Sequence, residues 1–143
     1  MSAEQLAFYQ QKLAYETDSF DLYMALEEGE QVIVVDGRSP EAYAKEHIPG
    51  AINVPHRTIS REAVAGLDRA ALYVAYCDGI GCNASTKTAL KLLTLGFQVK
   101  ELLGGLDWWK RDGYATSSGP SPLAGEEAAP AAGGGVAEDR QRT

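Results

Sequence analysis

The residues of this chain best suited to chemistry lie in Tyr76-Cys77-Asp78-Gly79-Ile80-Gly81-Cys82-Asn83-Ala84-Ser85, which holds both of its cysteines. Leu72-Tyr73-Val74-Ala75-Tyr76 is a short apolar run with aromatic and β-branched residues, the pattern of a buried strand. A helical pattern opens at Asn83 or Ser85 and continues through Leu95. Cys77 therefore stands at the carboxyl end of a strand, with a helix N-terminus just after it. Backbone N–H groups and the macrodipole at such an end favour negative charge. The expectation is a thiol with its pKa lowered, so that its thiolate is available as a nucleophile. Gly79 and Gly81 let the backbone between strand and helix turn its N–H groups inward. The bland alternative for Cys77 is an inert buried thiol, since free cysteine is among the most buried residue types.

Regular elements on either side must position this loop. Leu6, Tyr9 and Leu13 predict an amphipathic helix over 3–13, and residues 14–16 suit a short strand. Thr17, Asp18 and Ser19 are alternative caps for a helix whose stripe of Phe20, Tyr23 and Met24 reads as core and which ends at Gly29. Gln31-Val32-Ile33-Val34-Val35-Asp36 is the strongest strand, apolar throughout as in a parallel strand covered on both faces. Ser39-Pro40-Glu41 opens a helix that runs to about Glu46. Pro49-Gly50 turns the chain into a short strand at 51–54, and a helix is expected over 60–67. Gly96 sits where a C-cap glycine belongs, residues 97–103 read as a strand, Gly104-Gly105 as a flexible corner, and residues 106–110 as a last helix. Strands alternate with helices, which implies an α/β fold around a largely parallel sheet. Ligands of such sheets bind outside the carboxyl ends of the strands, where Asp36 and Cys77 both lie.

Composition bounds the rest. With 143 residues and 45% hydrophobic content, the chain is one domain with additions. The division expected is an N-terminal helix over 1–12, a domain over 13–116 and an acidic, disordered Gly/Pro/Ala-rich tail over 117–143. A formal net charge of −7 argues against nucleic-acid and anionic-membrane partners. No apolar run is long enough to span a membrane, and the first residues lack a signal-peptide pattern, so a cytoplasmic location with reduced thiols is expected. His47 and His56 match no common metal spacing with the cysteines, and no metal is expected.

Two stretches carry a resemblance. Asp36-Gly37-Arg38-Ser39-Pro40-Glu41-Ala42-Tyr43, followed by His47-Ile48-Pro49-Gly50-Ala51-Ile52-Asn53-Val54-Pro55, resembles the N-terminal signature of rhodanese-like domains. Tyr76-Cys77 through Leu95-Gly96-Phe97, and on to Gly104-Gly105-Leu106-Asp107-Trp108, resembles the active-site loop, following helix and closing motif of the same family. The resemblance covers roughly residues 13–114 and implies three layers, with a five-stranded, mostly parallel sheet between helices. It also implies a sulfurtransferase without a cofactor. Cys77 would take a sulfane sulfur from thiosulfate or a persulfide, hold it as a persulfide, and pass it to a thiol or cyanide acceptor. A protein persulfide is a further partner of that kind. The backbone of Asp78, Gly79, Ile80, Gly81, Cys82, Asn83 and Ala84 would cradle the sulfur. The physics agrees, because amides that favour a thiolate favour the anionic persulfide too.

The chain also departs from the family pattern. The loop is longer by a residue or two and contains no Arg or Lys; Asp78 is its only charged side chain. Related phosphatases and arsenate reductases need an Arg where Asn83 stands, which disfavours oxyanion chemistry. Glu46 replaces a usual Gly, with no functional consequence expected. Arg57 and Lys87 are candidates for positive charge at the pocket rim, although a solvated side chain is the default for both. Asp36 and Arg38 read as a loop-fixing ion pair, His47 as a hydrogen-bonded structural residue, and Trp108 and Trp109 as packing residues, one of which could wall the site. Cys82 stays open between a spectator, a resolving thiol and a second carrier. Two rivals to sulfur transfer follow: a redox module using Cys77 and Cys82, and a non-enzymatic docking domain.

Overall fold

The computed structural model describes residues 1–124. Five strands form one sheet: β1 (Glu16–Thr17), β2 (Val32–Asp36), β3 (Ile52–Asn53), β4 (Leu72–Tyr76) and β5 (Gln98–Leu102). Their order is β1-β5-β4-β2-β3, and every pairing is parallel. β4 thus sits at the centre, with Val34 opposite Val74 on one side and Tyr73 opposite Val99 on the other.

Side chains alternate across the strands, and each face has its own core. Val34, Val74, Tyr76 and Leu102 pack with Leu22, Tyr43, Ile48, Leu106 and Trp109, under α2 (Ser19–Glu27), α3 (Pro40–Lys45) and α5 (Gly105–Arg111). Val35 and Tyr73 face the other way, onto Val54, Val64, Leu92 and Phe97, under α4 (Ala84–Thr94). The arrangement is the expected three-layer α/β sandwich, with helices on both faces of a five-stranded parallel sheet.

Local signals place the ends of the elements. Ser39 accepts the Ala42 N–H ahead of Pro40, and Asp18 accepts the Asp21 N–H at the start of α2. After α4, Gly96 takes φ +98°, with Phe97 N bonded to Leu92 O and Gly96 N to Leu93 O, a Schellman ending.

Four expectations are corrected. Residues 61–66 form successive turns rather than a helix. Only Val64 N reaches back four residues, to Ser60 O, and the following bonds are three-residue ones around Gly66, while Val64 is drawn into the core. The helix α1 (Ala3–Tyr15) forms, but Leu6, Tyr9 and Leu13 are all exposed, so its stripe contributes no core residue. In α2 the core residue is Leu22, while Phe20 and Met24 of the expected stripe face outward. Finally, residues 117–121, assigned to the tail on composition, are bonded to the domain: His47 and Ser117 exchange N–H···O bonds of 2.9 Å, Gly119 N donates to Ala44 O, and Ser121 Oγ accepts from Asn53 N. Three of these four attachments are main-chain bonds and the fourth is one serine hydroxyl, none of which composition reveals. The remainder of the expected tail, from residue 125, lies outside the described residues.

Glu46 has a structural task. Its carboxylate takes Lys110 Nζ at 2.8 Å and Thr116 Oγ1 at 2.9 Å, and its carbonyl takes Arg38 Nη2 at 2.6 Å. It ties α3 to the end of α5 and to the segment leading into 117–121. Among the described residues no helix is long and apolar enough to cross a membrane.

Candidate active site

Cys77 follows directly on β4, at the carboxyl edge of the central strand, and the chain loops from there into α4. The loop is anchored from below. Leu106 N donates to Cys77 O at 2.9 Å and Asp107 N to Asp78 O at 2.8 Å, so the first turn of α5 holds the two loop carbonyls. This requires backbone against backbone. Gly105 has φ +58°, and a Cβ there would press on Cys77 O and Gly79 N. The Gly104-Gly105 pair is thus not a flexible corner but a close-packed floor for the loop. Gly105→Ala should cost about 3 kcal/mol, from left-handed strain of about 1–2 kcal/mol and the overpacking that follows. Thermal unfolding would measure it.

The Asp36–Arg38 turn braces the loop from the side. Asp36 is fully buried, and its carboxylate accepts Arg38 Nε at 3.0 and 3.1 Å, Nη2 at 2.7 Å and the Arg38 backbone N–H at 2.8 Å. Arg38 Nη1 then reaches across to Asp78 Oδ1 at 3.1 Å. Asn53 Nδ2 fixes the same turn through Asp36 O and Arg38 O. The loop therefore does meet a guanidinium, but one spent on carboxylates. It holds Asp78 outward, with the Asp78 side chain 71% exposed.

Cys77 is buried, with 1% of its surface exposed. Its Sγ lies 3.2 Å from Cys82 O and 3.4 Å from Ser85 Oγ, and the Ser85 hydroxyl donates onward to Glu101 Oε2 at 2.8 Å. Thr86 Oγ1 donates to the same carboxylate oxygen at 2.6 Å. Cys82 is half-buried; the turn closed by Cys82 N to Gly79 O, 3.1 Å, folds its carbonyl back onto the Cys77 sulfur.

The electrostatics reverse one expectation. Burial pushes the Cys77 thiol up, and the hydrogen bond with Cys82 adds to that; the hydroxyl and amide of Ser85 oppose it and lose. For Cys82, burial also acts upward, but the bond from Cys77 and the N–H groups of Ala84 and Asp78 outweigh it, so this thiol is held below its ordinary value. The loop and helix-start amides thus act on two sulfurs rather than one. Cys82 takes the amides of Ala84 and Asp78; Cys77 takes that of Ser85.

Two cavities flank the loop. The larger, about 810 Å³, is bordered by Arg38, His56, Arg57, Asp78, Cys82 and Ser121 among others. The smaller, about 410 Å³, is bordered by Gly79, Ile80, Cys82, Ser85, Glu101 and Trp108. Cys82 lines both, and Cys77 lines neither.

The expected site residues thus fall into groups. Asp78, Cys82, Ala84 and Arg57 border the larger cavity, and Gly79, Ile80 and Cys82 the smaller. The Ile80 side chain points to solvent at 81% exposure. Gly81 is open, with nothing within 4 Å of where a Cβ would stand. Asn83 caps α4 through its backbone alone, without a side-chain bond. Lys87 lines neither cavity, but its charge, with those of Lys91 and Arg57, acts on His56; burial first and these cations next push the His56 pKa down. His47 Nδ1 bonds Tyr43 O at 2.6 Å with its ring stacked on Tyr43, and Trp109 is core, while Trp108 walls the smaller cavity. Sequence reasoning missed Ser85, Glu101 and Ser121 as site residues. The one signal for Glu101 was an acid in the middle of a sheet strand.

A family model of the rhodanese-like domain matches residues 19–112. The chain belongs to the rhodanese-like domain family. Among solved structures it resembles the BH2092 protein of Bacillus halodurans, with TM-score 0.78 and 39% identity, over 85% of this chain and 90% of that one. Among characterised sequences, it is 34% identical over 92 residues to the HTH-type transcriptional regulator Rv0324 of Mycobacterium tuberculosis. The match takes in 64% of this chain but only 40% of the regulator. It is 31% identical over 94 residues to thiosulfate sulfurtransferase 16, chloroplastic, of Arabidopsis thaliana, covering 59% of this chain and 78% of that protein. Rhodanese-like membership and this relative support sulfurtransferase-type chemistry at the level of the family.

Proposed function

We propose that this rhodanese-like domain is a sulfurtransferase that carries a sulfane sulfur on Cys77. The observation that carries the reading is a thiol at the end of the central strand, with the Ser85 hydroxyl at its sulfur, in a loop whose Asp78 and Cys82 border a cavity with Arg57 on its rim. Each half-reaction is a displacement at sulfur. With a persulfide donor, the Cys77 thiolate attacks the outer sulfur: Cys77–S⁻ + RS–SH gives Cys77–S–SH + RS⁻. Thiosulfate donates in the same way and leaves as sulfite. An acceptor thiolate then attacks the outer sulfur of Cys77–S–SH, leaves as R′S–SH and restores the Cys77 thiolate; cyanide leaves as thiocyanate.

Asp78 weighs on the choice of donor. Its carboxylate borders the larger cavity, and the nearest guanidinium, Arg38, is already paired to it and to Asp36. A compact dianion such as thiosulfate needs more compensating charge than this rim supplies, and a thiol persulfide needs less. The test is intact mass after exposure of reduced Cys82→Ser, which keeps Cys77 and lacks the second thiol, to thiosulfate and, separately, to glutathione persulfide. The expected result is the gain of one sulfur atom, removed by cyanide, with the persulfide loading faster. A protein that gains no sulfur from either donor would overturn the reading.

A further inference from the structure

A one-thiol sulfur carrier has no need of Cys82, yet the loop is folded around it. The Gly79–Cys82 turn brings Cys82 back over Cys77, whose sulfur points at Cys82 O from 3.2 Å. Each thiol acts on the ionisation of the other, and the N–H groups of Asp78 and Ala84 lower the Cys82 thiol against its burial. Those amides favour a thiolate at Cys82. Cys82 also faces both cavities, whereas Cys77 is buried. Two thiols in one tight loop, one of them inclined to ionise, suit thiol–disulfide exchange. Open space at Gly81 and the outward Ile80 leave the short loop room to close the remaining distance.

We propose that Cys82 is the internal acceptor of the Cys77 persulfide, releasing hydrosulfide and leaving a Cys77–Cys82 disulfide. This rests on Cys77 being the sulfur carrier. The Cys82 thiolate supplies the electron pair that forms the bond to Cys77 Sγ. The bond from that Sγ to the outer sulfur breaks, and its pair leaves with the outer sulfur: Cys77–S–SH + ⁻S–Cys82 gives Cys77–S–S–Cys82 + HS⁻. The sulfane sulfur is reduced by two electrons and the cysteine pair is oxidised by two. A dithiol, or two equivalents of a monothiol, returns the pair to its reduced state and leaves as a disulfide. The domain would then turn a thiol persulfide into hydrosulfide at the expense of a thiol reductant.

The test follows the added sulfur. Wild type, Cys82→Ser, Cys82→Ala and Cys77→Ser are reduced, loaded with glutathione persulfide and freed of excess reagent. Intact mass and released hydrosulfide are then followed with time. Both Cys82 variants should keep the extra sulfur at least about tenfold longer than wild type. Wild type should release one hydrosulfide per persulfide and end with Cys77 and Cys82 joined in one disulfide-linked peptide, which dithiothreitol opens. Two results would overturn the proposal: a wild-type persulfide as long-lived as that of the variants, or an extra sulfur that moves to Cys82 without hydrosulfide release. Failure of the Cys82 variants to take up sulfur at all would instead remove Cys77 as the carrier, and the proposal with it.

Discussion

Cys77→Ser should abolish sulfur transfer, lowering the rate by about a thousandfold or more, as expected when a covalent nucleophile is removed. A serine hydroxyl is too weak an acid to ionise in this site and forms no persulfide. The fold should survive, because the replacement is nearly isosteric and the hydroxyl finds acceptors already in place: Cys82 O and Ser85 Oγ face the Cys77 sulfur at 3.2 and 3.4 Å. Circular dichroism unchanged from wild type, with no sulfur transfer by steady-state assay, is the expected pair of results. Residual transfer within tenfold of wild type, by this estimate of nucleophile loss, would mean that another group carries the sulfur. The same burial predicts the pH profile. Because the Cys77 thiol is pushed above its ordinary value, its thiolate appears later as pH rises. The rate of loading in Cys82→Ser should therefore keep climbing through the ordinary cysteine range rather than levelling below it.

The largest stability effect should come from the pair beneath the loop. Asp36 is wholly buried and the Arg38 side chain is 9% exposed, so removing one partner leaves the other charge without compensation. Asp36→Ala should cost about 3–5 kcal/mol, against a total for a domain of this kind of about 5–15 kcal/mol. Chemical denaturation should show the midpoint fall with the slope unchanged. Combining Asp36→Ala with Arg38→Met removes both charges, and part of the loss should return. The consequence reaches the site, since Arg38 also holds Asp78 outward through Nη1 at 3.1 Å. Arg38→Met should free that carboxylate beside Cys82, raise the thiol pKa there and slow its alkylation at neutral pH. A cost for Asp36→Ala below about 1 kcal/mol, the range of a surface pair, would show that the pair is not a brace.

Much of the fold was legible because its signals are local. The apolar run of β2, the Ser39-Pro40 start of α3 and the Gly96 ending of α4 each depend on residues within one or two turns, and each forms as read. Residues 60–67 failed the same kind of reading. Their spacing admits a helix, but the tertiary fold draws Val64 into the core and Gly66 does not resist the turn that results. The strand–loop–helix order around Cys77 was equally local, so the candidate nucleophile could be named from sequence.

What the loop does with its two sulfurs was decided elsewhere. Whether a thiol ionises depends on burial and on which donors reach it, and both are set by chain that is distant in sequence. Gly105 and Leu106 fix the loop floor, Arg38 reaches forty positions along the chain to Asp78, Glu101 waits behind Ser85, and Ser121 returns to border the larger cavity. An α/β domain with a cysteine at the mouth of its central strand follows from short-range strand, helix and cap preferences. That Cys77 is the buried, upshifted thiol and Cys82 the one held below its ordinary value follows from packing, because desolvation and the direction of an N–H are properties of the folded chain.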